Sequence, residues 1–242
     1  MGLALALTAY ILDKFRTGRT ANVLIYGEPR IGKSVYAIKT LKEIYATWGH
    51  PAELDPYFIY KGADEWKNWI VYRPEQFVKV FALLLKFGIK VPSVVWDDAG
   101  LWLFALDWND PRIKAVLKML QVSGVATGSL IFTTPAVSMI LKKTLNIEGI
   151  LVGKVVKATG KRDYRMAKIY KNALTPWGKR YVKQVIEDKF NVMLSKADYD
   201  YYAPVRMTYL QDALKLMSRA YGVLIEDTTQ AAAIIEAKGK PV

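Results

Sequence analysis

Residues 27–34 read Gly-Glu-Pro-Arg-Ile-Gly-Lys-Ser and have the residue types and spacing needed to bind phosphate groups. The spacing matches the pattern G-x-x-x-x-G-K-S/T, in which glycines let backbone N–H groups turn inward around the phosphates. A helix that starts here adds the positive end of its dipole. In this pattern the Lys33 ammonium reaches the β- and γ-phosphates and the Ser34 hydroxyl ligates Mg²⁺, which predicts a site for ATP and Mg²⁺. The predicted nucleotide-binding residues are Gly27, Glu28, Pro29, Arg30, Ile31, Gly32, Lys33 and Ser34.

Two adjacent carboxylates, Asp97 and Asp98, follow the apolar run Val-Val-Trp at residues 94–96. At the end of a strand beside a phosphate loop, Asp97 would hold Mg²⁺ through water. Asp98 would orient the attacking water as a general base. The alternative for Asp98 is a structural role as the cap of the turn that begins at Ala99 and Gly100. The pair predicts hydrolysis and leaves the role of Asp98 open.

Two hydroxyls, those of Thr133 and Thr134, end another apolar run that begins at residue 129. In a sheet where this strand lies beside the strand before Gly27, either hydroxyl would contact the γ-phosphate or the attacking water. The alternative is that Thr stands there because of its β-propensity alone. The candidate catalytic residues are Lys33, Asp98, Thr133 and Thr134, and the candidate metal ligands are Ser34 and Asp97.

Short apolar runs that alternate with helical patterns predict the elements that position these groups. Strands are predicted at residues 22–26, 57–60, 93–96, 129–134 and 147–156, and helices at 2–12, 33–45, 74–86, 112–122 and 208–221. Runs without polar alternation are typical of a parallel sheet covered on both faces. The predicted fold is therefore α/β, with a P-loop ATPase domain at residues 1–150 and a basic, strand-rich extension with C-terminal helices at 151–242.

The three segments GEPRIGKS, VVWDD and SLIFTT, in this order, resemble the ASCE branch of the P-loop NTPases, which includes AAA+ proteins and the FtsK/HerA motors. The first two segments resemble Walker A and Walker B motifs, although most members have Glu where this chain has Asp98. The small size and basic tail are similar to the DnaA-like or packaging-type ATPases of archaeal viruses and plasmids. The resemblance implies a parallel sheet in the order 5-1-4-3-2, ATP as ligand and often a homo-oligomer whose sites an arginine completes. Arg112, Arg162 and Arg165 are the candidates for that arginine.

Most of the chain's net charge of +13 lies in residues 151–183, the basic segment, which holds ten Lys and Arg against one acid, Asp163. Tyr164 and Tyr170 lie among them. Such a segment suits sequence-independent binding to DNA, with cations for the phosphates and rings for the bases. The alternative is a solvated lysine-rich surface. The candidate DNA-binding residues are Lys154, Lys157, Lys161, Arg162, Arg165, Lys168 and Lys171.

The basic segment also allows an enzyme of another class, a small-molecule or nucleotide kinase in which residues 160–165 form the lid. We favour hydrolysis because the carboxylate pair can position water, which a kinase must exclude. We therefore expect an ATPase that acts on DNA in replication initiation or genome handling by an archaeal virus or plasmid. A viral DNA-packaging motor is the alternative.

Composition excludes several other classes of protein. The chain has 242 residues, of which 52% are hydrophobic, so it can bury a core and is neither fibrous nor disordered. It has no Cys, which excludes disulfides and thiolate metal sites. The apolar run at residues 2–12 is shorter than the roughly 20 residues that a membrane span requires. We therefore expect a protein of the host cytoplasm, with a membrane-docked assembly ATPase as the alternative.

Overall fold

The computed structural model describes residues 5–48, 51–104, 109–140, 150–160, 162–174 and 180–221. Its α-helices are α1 (Ala6–Arg16), α2 (Lys33–Thr47), α3 (Pro74–Phe87), α4 (Pro111–Val122) and α5 (Lys196–Tyr221). Its strands are β1 (Val23–Tyr26), β2 (Ile70–Val71), β3 (Val94–Trp96), β4 (Leu130–Thr134), β5 (Leu151–Lys157), β6 (Tyr164–Leu174) and β7 (Arg180–Asn191). Short 3₁₀ helices lie at Ala52–Leu54, Gly62–Trp69, Ala99–Leu101, Ser123–Val125 and Val137–Met139.

The seven strands form one sheet in the order β2-β3-β4-β1-β5-β6-β7. The first five strands run parallel, and β6 and β7 add an antiparallel hairpin beside β5. The parallel part confirms the predicted α/β class and the order 5-1-4-3-2. Strands β5, β6 and β7 therefore belong to the same sheet as the phosphate-loop strand.

The parallel strands are apolar because both faces of this part of the sheet are covered. Val23, Leu24 and Ile25 of β1 are fully buried, as are all residues of β3 and β4. Helix α2 buries one stripe, with apolar residues at helical spacing through Ile38, Leu41 and Ile44. The core thus holds β1, β3 and β4 side by side, with their carboxyl ends at one edge.

Two predicted elements are wrong in position. Residues 57–60 do not form a strand, and the side chain of Ile59 is 88% exposed. The edge strand is β2 instead, which follows a 3₁₀ helix that buries Trp66 and Trp69. The predicted helix at 208–221 begins earlier, at Lys196, because the Ser195 hydroxyl accepts a hydrogen bond from the Asp198 N–H at 3.1 Å and caps it.

The chain folds into two compact units, Met1–Met193 and Leu194–Val242. The first unit contains the whole sheet, and the second contains α5. Within the described residues, none of the helices combines the length and the apolar character that a bilayer crossing requires.

Candidate functional site

The phosphate loop, residues 27–34, connects the end of β1 directly to the start of α2. Gly32 precedes the helix in the left-handed conformation, with φ of +102°. The Lys33 side chain is only 7% exposed, and its Nζ donates hydrogen bonds of 2.9 Å to the carbonyl oxygens of Gly27 and Glu28. The ammonium is therefore held inside the curl of the loop, where it would meet the phosphates of a nucleotide.

The two glycines of the loop are required by close packing as well as by conformation. A Cβ on Gly27 would lie 2.7 Å from the backbone oxygen of Val155 on β5, and the φ of Gly27 is +155°. A Cβ on Gly32 would lie 2.8 Å from Cγ1 of Val192, just after β7. Only glycine avoids both the strain and the overlap. Strand β5 and the residue after β7 thus lie directly against the phosphate loop.

Asp97 is the buried carboxylate at the end of β3, with 2% of its surface exposed. The Thr133 hydroxyl donates a 2.6 Å hydrogen bond to Asp97 Oδ1. The same oxygen of Thr133 accepts the backbone N–H of Asp98 at 2.8 Å. Because a hydroxyl has one proton, the Thr133 proton is used by Asp97. Thr133 therefore orients the Asp97 carboxylate and the backbone of Asp98, and its contact with a γ-phosphate stays a prediction.

Asp98 is half-buried and has a left-handed backbone, with φ of +48°. Arg30, in the phosphate loop, is the other non-glycine residue with positive φ in the described part of the chain. Strained backbone of this kind concentrates at functional sites. Asp98 precedes the 3₁₀ helix Ala99–Leu101, but its side chain makes no capping hydrogen bond. The role of the Asp98 carboxylate, as a general base or in the following turn, stays a prediction.

Strand register brings these groups to one edge of the sheet. Thr134 on β4 is level with Tyr26, the residue before Gly27, and Phe132 is level with Trp96, the residue before Asp97. The Gly27 N–H donates to the Pro135 carbonyl oxygen at 3.4 Å. The Thr134 hydroxyl donates to the Ala136 carbonyl oxygen at 3.2 Å. The phosphate loop, the carboxylate pair and both threonines thus meet where β1, β3 and β4 end, as in other ligand sites of open parallel sheets.

The oxygen donors at this edge fit Mg²⁺ held together with a nucleotide. No cluster of three or more His, Asp or Glu side chains within the described ranges would hold a metal ion alone. Mg²⁺ usually takes one or two protein oxygens and completes its shell with substrate phosphates and water. The Asp97 carboxylate and the Ser34 hydroxyl, in the first turn of α2, are donors of that kind.

The sheet separates the predicted DNA-binding residues onto two faces. Lys154 pairs with Lys168, and Lys157 pairs with Arg165. Cross-strand partners share a face and successive residues alternate, so these two pairs lie on opposite faces. Lys171, level with Leu151, lies at the far end of the hairpin from Lys157. Arg162 lies in the turn between β5 and β6, and Lys161 lies outside the described residues.

The face of Lys154 and Lys168, which we call the open face, also carries Lys189, level with Met166. Lys189 is exposed, and its Nζ lies 5.7 Å from the centre of the Tyr164 ring. Lys168 pairs across the strands with an acid, Glu187, and its Nζ lies 3.8 Å from Oε2 of that residue. The sequence pattern did not indicate Lys189, because this residue lies after the basic segment in the chain.

Asp188 on β7 is a buried acid that the sequence pattern did not indicate either, with 6% of its surface exposed. It accepts hydrogen bonds from the N–H groups of Ala6 at 2.6 Å and Leu7 at 3.1 Å, which begin α1. It also accepts a 2.6 Å hydrogen bond from the Tyr36 hydroxyl on α2. Burial and the nearby Asp188 carboxylate raise the pKa of Tyr36 well above its usual range. One sequence signal could have indicated Asp188. This acid lies two residues after Ile186 and two before Phe190, so on a strand it shares a face with these two apolar residues, which are both buried.

Comparison by sequence finds two viral relatives. The chain is 23% identical over 126 residues to "Uncharacterized protein B-251" of Sulfolobus spindle-shape virus 1, a match that covers 52% of this chain and 47% of that protein. It is 27% identical over 128 residues to "Uncharacterized protein ORF286" of Acidianus two-tailed virus, a match that covers 52% of this chain and 40% of that protein. The match thus spans about half of these relatives or less. No family model matches the chain.

Comparison by structure finds distant similarity to solved proteins. One is the N-terminal domain of zonular occludens toxin from Neisseria meningitidis, with 12% identity, a TM-score of 0.38, and coverage of 75% of this chain and 98% of that one. Another is the genome packaging NTPase B204 from Sulfolobus turreted icosahedral virus 2 in complex with AMPPCP. It has 16% identity, a TM-score of 0.38, and coverage of 69% of this chain and 99% of that one.

Proposed function

We propose that this chain is a Mg²⁺-dependent P-loop ATPase that acts on DNA, as a replication-initiation or genome-handling factor of an archaeal virus or plasmid. The observation that carries the proposal is the Thr133 hydroxyl, which joins Asp97 to the backbone of Asp98 at the edge where the phosphate loop begins. This arrangement fixes the Asp97 carboxylate and the backbone of Asp98 beside the loop at residues 27–34. The relatives from archaeal viruses agree with a viral setting.

In this proposal the phosphate loop and the carboxylate pair carry out hydrolysis. Backbone N–H groups of the phosphate loop bind the β- and γ-phosphates, and the Lys33 ammonium moves from the Gly27 and Glu28 carbonyls onto them. Ser34 and Asp97 would hold Mg²⁺, which when bound neutralises charge on the phosphate oxygens. The Asp98 carboxylate accepts a proton from the attacking water. The water oxygen forms a bond to the γ-phosphorus while the bond between that phosphorus and the bridging oxygen breaks. ADP keeps the bridging oxygen, and ADP and inorganic phosphate leave.

The open face supports DNA as the partner. Lys154, Lys168 and Lys189 present cations on one side of a three-stranded surface, and Tyr164 and Tyr170 share that side by register. Cations at strand spacing can follow a phosphate backbone, and tyrosine rings can stack on unpaired bases. Binding of this kind reads charge and stacking, so it is sequence-independent. Assembly into a homo-oligomer remains a prediction from the resemblance.

ATP hydrolysis measured with and without DNA tests the proposal. Phosphate release is followed for the full chain alone, with single-stranded DNA and with double-stranded DNA of the same length. We expect slow release that DNA increases several-fold. Transfer of the γ-phosphate to a nucleotide or metabolite, with no effect of DNA, would instead identify a kinase and contradict the proposal.

A further inference from the structure

A cavity of about 390 Å³ lies in the turn between β5 and β6. Its volume is at the lower end of the range of roughly 300–1,000 Å³ that is usual for small-molecule sites. The described residues that line it include three cations and no acid: Lys157, Ala158, Gly160, Arg162 and Arg165. Among the described residues, no ion pair neutralises Lys157, Arg162 or Arg165. The cavity is therefore strongly electropositive.

The Arg165 guanidinium is held in place by its own turn. Its Nη1 donates hydrogen bonds to the carbonyl oxygens of Arg162 at 2.6 Å and Tyr164 at 2.8 Å. Its Nε is buried and has no hydrogen-bond partner. A buried N–H without a partner is uncommon and calls for an explanation. The side of the guanidinium that carries Nε and Nη2 is one that binds two oxygens of an oxyanion at once.

We propose that this cavity is a phosphate-binding site separate from the phosphate loop. A shift of the Arg165 side chain exposes the edge of the guanidinium that carries Nε and Nη2, and this edge binds two oxygens of a phosphoryl group. Lys157 and Arg162 balance the remaining charge. Three cations match a multiply charged phosphoryl group better than a single carboxylate. The phosphoryl group can belong to a nucleotide or to the end or backbone of a nucleic acid, because the chemistry that binds both is the same.

The cavity lies at the same edge of the sheet as the phosphate loop. Lys154 is level with Tyr26 at the end of β1, so Lys157 lies about 10 Å beyond that level. The carbonyl oxygen of Asp163, in the turn, accepts the N–H of Val192 at 2.8 Å, and the Val192 side chain packs against Gly32. The turn is therefore tied to the loop through one residue.

Titration with inorganic phosphate tests the site without relying on hydrolysis. We use the full chain with Lys33→Ala, which disables the phosphate loop, and follow binding by calorimetry. We expect saturable binding in this variant. Addition of Arg165→Lys keeps the charge but removes the two-pronged donor, and it should weaken binding by about tenfold or more. The matched control is Lys118→Gln, at an exposed position of α4, which removes a charge and should leave phosphate binding unchanged.

Three results would overturn the site. They are absence of phosphate binding in the Lys33→Ala chain, equal binding with and without Arg165→Lys, and equal weakening by Lys118→Gln. A Lys157→Gln/Arg162→Gln chain serves if Arg165→Lys prevents folding, and it too should lose phosphate binding. Displacement of phosphate by a non-hydrolysable ATP analogue on the wild-type chain would assign the site to a nucleotide. Displacement by an oligothymidylate on the Lys33→Ala chain would assign it to a nucleic acid, and displacement by neither would contradict both assignments.

Discussion

The Tyr36 hydroxyl donates a 2.6 Å hydrogen bond to Asp188. This bond joins α2, the helix that begins at the phosphate loop, to β7 of the antiparallel hairpin. The same carboxylate binds the first N–H groups of α1. Glu43, further along α2, holds the start of α1 as well, through Leu5 and Thr8. A single buried carboxylate therefore fixes the N-terminal helix, the phosphate-loop helix and the hairpin to one another.

Asp188→Asn should destabilise the protein. The substitution removes the charge that stabilises the N-terminus of α1 and replaces an acceptor oxygen by an NH₂ group that faces other donors. We expect a loss of about 2 kcal/mol in the free energy of unfolding, measured with urea. Glu187→Gln, at the neighbouring exposed position of β7, is the matched control and should change it by less than about 0.5 kcal/mol. Equal effects of the two substitutions would refute the role of Asp188.

Stability should fall at alkaline pH because of Tyr36. Its pKa in the folded protein is well above the ordinary value of 10.0, as a result of burial and the Asp188 carboxylate. The folded state therefore holds the proton more tightly than the unfolded state, and the stabilisation is complete below pH 10.0 and declines as pH rises above it. Thermal unfolding from about pH 8 to about pH 11 should show a shallower decline for Tyr36→Phe than for the wild type. Parallel declines would contradict this assignment.

Thr133→Val should impair hydrolysis more than nucleotide binding. Valine has the same shape but offers no hydroxyl to Asp97 Oδ1 or to the Asp98 N–H. We expect the rate of phosphate release to fall by about tenfold or more, which corresponds to roughly 1.4 kcal/mol, while the affinity for an ATP analogue changes less. Thr133→Ser should restore most of the activity. Thr134→Val is the control, because the Thr134 hydroxyl donates to the Ala136 carbonyl oxygen and not to the carboxylate pair. A loss of activity confined to Thr134→Val would contradict the role of Thr133.

Combined substitution of Lys154, Lys168 and Lys189 by Gln should lower the affinity for DNA and make this affinity less sensitive to salt concentration. Each lost phosphate contact on a single strand lowers the slope of log affinity against log salt concentration by about 0.7, so the slope should fall by roughly 2. The control chain carries the same substitution at Lys79, Lys86 and Lys118, which lie on α3 and α4. Fluorescence anisotropy at several salt concentrations measures both chains. An equal loss in the control would show that net charge, and not the open face, accounts for binding.

The sequence was sufficient to predict strands β1, β3 and β4 and the turn at residues 27–34 between β1 and α2. Each of these strands is a short apolar run that ends in the residue types expected at a nucleotide edge, so local pattern and global fold agree. The distribution of the basic side chains of residues 151–183 over two opposite faces of the sheet could not be predicted in this way. It depends on the pairing of β5 with β6 and on a bulge between Ile169 and Tyr170, which the composition of the segment does not encode.

Local patterns also failed where tertiary contacts decide the structure. Asp188 forms hydrogen bonds with Ala6, which lies 182 positions before it in the chain, and with Tyr36, which lies 152 positions before it. The spacing of neighbouring residues carries no information about such distant contacts. Helix α5 continues through Pro204, which local rules treat as a boundary. Residues 57–60 have the composition of a strand but no neighbour in the sheet.

Release of inorganic phosphate from Mg²⁺-ATP by the wild-type chain and by Lys33→Ala, at equal concentration and with equal thermal stability verified, tests the central claim most directly. The proposed site predicts turnover by the wild type and a loss of at least about a hundredfold in the variant, because the Lys33 ammonium is the cation that the phosphate loop holds at the phosphates. It also predicts that removal of Mg²⁺ by a chelator abolishes the wild-type activity. Equal phosphate release by the two chains would contradict the assignment of residues 27–34 as the site of ATP hydrolysis.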